Sequence, residues 1–312
     1  MEKTYKLFKK NLPIMITLSV IGLIFGLFTL LYYYVPKPPS IDFKNVIPIF
    51  TAIFLVASVV FAIAFTAKIK KLHVVKLKRS SGFSKFAALF AASLISALFL
   101  YEFIKFVITP STLPTFKIIR LIVSVPAIAY LIVGIIPKKI KRKRIEIPTW
   151  VRPTTSVCML AWCILGLLAV YFWNGLPTTN IFKLLHMAYY VLATLFIVAE
   201  IDFEFFSKNH RFYIITSALL FIWTFVAIGP IMFAKFFGKI PGVTISEFEI
   251  FAAVALGTYA LSKLIAMQQT LQYVMKKESS DSRHHSHHHH HHTSKKVGKA
   301  TSKSAIPEDI DI

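Results

Sequence analysis

The chain has 312 residues, 56% of them hydrophobic and only 16% charged, and its mean hydropathy is +0.64. That excludes an ordinary water-soluble domain, in which charge is commoner and apolar runs are short. The formal net charge of +22 is divided among gaps and a tail with no nucleic-acid-reading module beside it, so no specific nucleic acid is expected as a partner.

Met1 to Leu12 brings four lysines, Lys3, Lys6, Lys9 and Lys10, ahead of a first apolar run near Pro13 to Val35. A basic flank before an apolar run is also the layout of a secretory signal peptide, whose apolar core is only about 7 to 15 residues. This run is longer, and Tyr32, Tyr33 and Tyr34 lead it into Pro36, Pro38 and Pro39, so an uncleaved first span with an interfacial tyrosine belt is predicted. Within it, Gly22 and Gly26 form a small-xxx-small step that allows another helix to approach closely.

Seven further runs follow, near Val46 to Ala67, Phe86 to Thr109, Ile118 to Ile136, Thr154 to Trp173, Phe182 to Ile201, Phe212 to Phe233 and Phe248 to Met267. A helix rising about 1.5 Å per residue needs roughly 20 apolar residues to cross a hydrocarbon core of about 30 Å. The expected fold class is therefore all-α: a polytopic integral membrane bundle of about eight transmembrane helices. Pro230 follows Gly229 late in the seventh run and should bend it. Cys158 and Cys163, five apart in the fifth run, point in different directions on a helix and are read as packing residues.

The gaps alternate in character. After the second run there are seven lysines and arginines and after the fourth run another seven, whereas the gap after the first run holds only Lys37 and Lys44. Cytoplasmic loops keep an excess of Lys and Arg, so both termini are expected on the cytoplasmic side of a cell membrane. Clusters such as Lys141 to Arg144 beside a membrane end have anionic phospholipid as their nearest partner. After Gln268 the composition turns polar. A transmembrane domain is thus assigned to 1–268 and a disordered cytoplasmic tail to 269–312.

Ionisable groups inside a membrane are costly unless paired or facing water. Glu102 and Lys105 lie three apart in the third run, Arg120 enters the fourth, and His186 lies early in the sixth beside Tyr189 and Tyr190. Glu102, Arg120 and His186 form the candidate intramembrane polar site. A clasp from Glu102 to Arg120 across the hairpin is the expected structural role, and a proton or cation relay through Glu102 is the functional alternative. Lys263 is expected to snorkel, and Glu200, Asp202 and Glu204 to bridge to the basic loops. In the tail, His284, His285, His287, His288, His289, His290, His291 and His292 can bind zinc or nickel, whether the tract is natural or a tag. No P-loop, GxSxG, HExxH, CxxC pair or dinucleotide glycine fingerprint is present. The expected function is a non-enzymatic membrane component that carries or senses a small solute. A structural or partner-binding subunit, its protein partners unspecified, is the alternative, and an intramembrane enzyme acting on lipid or peptide comes third.

Overall fold

Among the described residues of the structure, a computed structural model, eight helices are long and apolar enough to cross a bilayer. The residues it describes are 2–34, 46–67, 69, 82–109, 115–136, 139–140, 143–144, 147–173, 181–206, 210–237 and 246–287. Lipid offers no partner for an exposed backbone amide, so each apolar run satisfies its own backbone as a helix. The spans are carried by α1 (Glu2–Tyr34), α2 (Val46–Ala67), α3 (Gly82–Ile108), α4 (Thr115–Val133), α5 (Val151–Trp173), α6 (Ile181–Ile201), α7 (His210–Trp223) with α8 (Gly229–Phe237), and α9 (Glu247–His287). The chain is a multi-pass helical membrane protein. In the basic stretch after α4, strands β1 (Lys139–Ile140) and β2 (Lys143–Arg144) form a short antiparallel ladder that pairs Lys139 with Arg144.

Two helix boundaries differ from expectation. α1 begins at Glu2 and carries Pro13 in its interior, because its first turns have a packing partner: Phe8 is fully buried with its ring 5.1 Å from that of Phe65 on α2, edge to face. α9 continues to His287, so the start of the expected tail is helical, and Thr270 and Leu271 are buried. Residues 1–273 form one compact unit, and the described part of the second, 274–312, is helical. The backbone of His284, His285 and His287 belongs to that helix, while His288 to His292 and the remainder of the chain lie outside the described residues.

Within the first unit, packing runs from α3 to α4, α5, α6 and α7, with α1 and α2 laid against α7. The span 210–233 is the central rod, with 89% of its most apolar stretch buried against 28% for each of the first two spans. One turn of it departs from regular α-helix, for a local reason. Pro230 has no N–H to donate, and just before it Thr224–Ile228 widens into a π-helical turn in which the Gly229 N–H reaches back to the Thr224 carbonyl. Around this turn helices meet over glycines: a Cβ on Gly22 would strike Val226, one on Gly26 would strike Pro230, and one on Gly257 would strike Thr224. The small-xxx-small step of α1 thus serves contact with α7 and α8 inside the bundle.

The outward faces of the helices are apolar, as at Ile108, Ile122, Val125 and Phe172, and suit lipid contact. Buried hydroxyls mostly donate to the carbonyl one turn back, as Ser19 does to Met15 and Ser217 to Tyr213. The positions at which side chains meet show that successive spans alternate in direction. We call the end where α1, α3, α5 and α8 finish the hairpin end, and the opposite one, beside the Lys/Arg-rich gaps, the basic end.

Candidate functional site

Toward the hairpin end, Arg120 on α4 is completely buried. Such a charge needs partners in protein, and it has them on other helices. Its Nη1 donates to Glu249 Oε1 on α9 at 3.0 Å, and its Nη2 donates to the Tyr190 hydroxyl on α6 at 2.9 Å. Tyr190 in turn donates to the same Glu249 oxygen at 2.9 Å, which closes a three-membered ring of hydrogen bonds over three helices. The flat face of the guanidinium lies 4.6 Å from the ring of Trp162 on α5, a favourable cation–π geometry. Trp162 is itself oriented by donating Nε1–H to Ser124 at 3.1 Å, and Ser124 donates to the Arg120 carbonyl at 2.8 Å. Gly166 makes room for this: a Cβ there would collide with the Tyr190 ring.

His186 sits one turn before Tyr190 on α6, fully buried, with its ring stacked 5.3 Å from the tyrosine's. Among the described residues neither of its ring nitrogens has a hydrogen-bond partner, and neither does Arg120 Nε. These three buried polar atoms are gathered about one tyrosine. Glu102 is buried on α3 in the same electrostatic neighbourhood, while Lys105 faces outward.

The three residues expected to form a polar site are therefore buried at one end of the bundle, but not in the expected pairing. Arg120 takes Glu249, on a helix remote in sequence, rather than Glu102 across the hairpin. The side chains of Arg120 and His186 both point into the core. Tyr190, Glu249 and Trp162 are the additions. Glu249 opens the eighth apolar run in its first turn, at a depth comparable with that of Arg120 from the same end. Matching opposite charges by depth would have found it.

A second network lies toward the basic end. Lys263 Nζ on α9 is 2.7 Å from Glu200 Oε1 on α6, and Tyr259 donates to that same oxygen at 2.9 Å. Glu204, in the π-helical turn Asp202–Phe206 that ends the sixth span, reaches Lys263 at 3.9 Å. The ammonium also lies 4.8 Å from the Tyr259 ring, and the hydroxyls of Tyr130 and Tyr213 are buried nearby. Lys263 is therefore paired rather than snorkelling, and Glu200 faces α9 rather than the basic loops. A crevice lined by Ser84, Lys85, Gly134, Tyr259 and Lys263 approaches this network.

Among the described residues no group of three His, Cys, Asp or Glu side chains is placed to hold a metal ion. Fold and sites together define a class: a multi-pass helical membrane protein whose core holds two buried charge networks, one toward each end. No family model, curated protein or solved structure matches the chain.

Proposed function

We propose that the protein carries a small solute across a cell membrane, with the Arg120–Glu249 and Glu200–Lys263 pairs acting as closures at its two ends. The observation that supports this is that the same two helices, α6 and α9, contribute to both networks. Largely buried ion pairs stabilise a fold poorly, because the cost of desolvating both charges offsets much of their attraction. In a membrane core they mark solute or ion pathways by default. Opening one pair while the other stays shut gives a solute access from one side at a time. The closed core then corresponds to an occluded state.

In this reading the basic end faces the cytoplasm and both termini lie there. The Lys/Arg-rich gaps rest on anionic phospholipid at about 1 kcal/mol per charge, and the histidine tract offers an adventitious or regulatory zinc or nickel site. The protein supplies pathway and selectivity, and no bond-making chemistry is assigned to it.

Purified protein in proteoliposomes should show saturable uptake of at least one solute from a panel of organic anions, amino acids and monovalent cations. Glu102→Gln tests whether proton or sodium drive passes through that carboxyl: unchanged driven uptake removes the relay. Uptake equal to that of protein-free vesicles for every solute overturns the carrier reading. It would leave the structural-subunit reading, which the close packing of the core favours.

A further inference from the structure

We infer that Arg120 is the receptor for the carboxylate of a small monocarboxylate anion, and that Glu249 occupies its place when no solute is bound. This rests on the carrier reading for its purpose and deepens it by naming the solute class.

The geometry of the pair carries the inference. Arginine binds carboxylates best through two parallel N–H···O bonds, yet here both Arg120 and Tyr190 converge on a single oxygen of Glu249. Arg120 Nε is left with no partner among the described residues although it is sealed from solvent. Nε shares its edge of the guanidinium with Nη2, so exchange with Glu249 takes place at the Nη1/Nη2 edge, where a free carboxylate, not tethered to α9, could accept from both nitrogens at once. Glu249 is also the replaceable member. The Arg120 side chain is 0% exposed and that of Glu249 is 11% exposed, in the first turn of its helix at the hairpin end. Rotating outward would return Glu249 to water without breaking the helix.

Charge then selects the ligand. Exchange of one carboxylate for another keeps the buried guanidinium neutralised at every stage, which a neutral amide does not, and a cation would meet repulsion. A dianion would bring one more negative charge to Arg120 than Glu249 does. Trp162 and Tyr190 wall the guanidinium with aromatic faces, so the body of the ligand should be short or flat and apolar. The two nitrogens of His186, without partners among the described residues, lie beyond the Tyr190 ring and could donate to or accept from a polar group on the ligand.

The test is equilibrium dialysis of radiolabelled propionate against the full-length protein in detergent micelles, with benzoate and propionamide as competitors. Saturable binding displaced by benzoate but not by propionamide is expected. Glu249→Gln removes the internal competitor and should bind propionate roughly tenfold tighter or more. A merely structural Glu249 would not produce a gain. Arg120→Gln should abolish binding in protein that still elutes as a folded species. The inference is overturned if neither the wild type nor folded Glu249→Gln binds propionate saturably, or if propionamide competes as well as benzoate. Propionate binding without uptake of any solute would sustain the inference and defeat the carrier reading. Uptake of another solute with no propionate binding would do the reverse.

Discussion

The Glu200 side chain is 1% exposed, so its charge depends on Lys263 and Tyr259 rather than on water. Removing the lysine alone, as in Lys263→Met, leaves that carboxylate buried and uncompensated, and should destabilise the bundle by about 3–5 kcal/mol. Adding Glu200→Gln removes the stranded charge while keeping an acceptor for the Tyr259 hydroxyl. Most of the loss should then return. Unfolding titrations of the wild type, the two single variants and the double variant in one detergent measure this, and a double variant no more stable than Lys263→Met would refute the pairing as described. Residues at this scale were only partly legible in the sequence. Glu102, Arg120 and His186 stand out because each is a polar exception inside an apolar run. Their partners are harder to see, since Tyr190 and Trp162 are ordinary residues of membrane helices and Glu249 looks like a boundary charge. Lys263 resembles a snorkelling lysine until the carboxylate at similar depth on α6 is set beside it.

At the level of elements, the π-helical turn between α7 and α8 and the glycines facing it act as one device. Pro230 deprives the Val226 carbonyl of its usual helical partner, and that carbonyl and the proline ring both lie against Gly26 of α1. Side chains are excluded there by backbone and ring atoms, which cannot rotate away. Gly26→Val should therefore push α1 from the central rod and cost about 1–3 kcal/mol, as overpacking of a tight core generally does. Gly82, with nothing within 4 Å of an added Cβ, is the matched control, and Gly82→Ala should leave the melting temperature in detergent unchanged. Equal melting temperatures for Gly26→Val and the wild type would mean that the two helices do not touch as described. Sequence alone marked Gly229–Pro230 as a place where regular helix is disturbed and Gly22 and Gly26 as a place of close approach. It did not show that the two features face each other, because hydropathy gives the length of a helix and not its neighbours. The π-helical turn was hidden for a related reason: it is a response of the backbone to the missing proline donor, with no residue signature of its own.

For the whole molecule, eight spans alternate in direction, so the position of one gap relative to the bilayer fixes all the others. The gaps at the basic end hold most of the lysine and arginine outside the tail, while those at the hairpin end hold few. The proposed orientation rests on this asymmetry, since translocating a cluster such as Lys141 to Arg144 is opposed and retaining it is not. The weakest support is the gap between the sixth and seventh spans, where Lys208 and Arg211 stand near Glu200, Asp202 and Glu204. Acidic residues contribute little to the rule, and Glu200 is in any case taken up by Lys263 inside the bundle. Single cysteines introduced at Ser81, Thr149, Ser111 and Thr178 read the outcome directly, after Cys158 and Cys163 are replaced by alanine to remove background. In intact cells a membrane-impermeant maleimide should label the cysteines at 111 and 178 and spare those at 81 and 149, and permeabilisation should make all four reactive. The opposite pattern would place the Arg120 network on the cytoplasmic side and reverse the side from which its solute enters. Labelling at both 81 and 111 in intact cells would contradict the alternation of spans itself, and with it the assignment of the two charge networks to opposite ends.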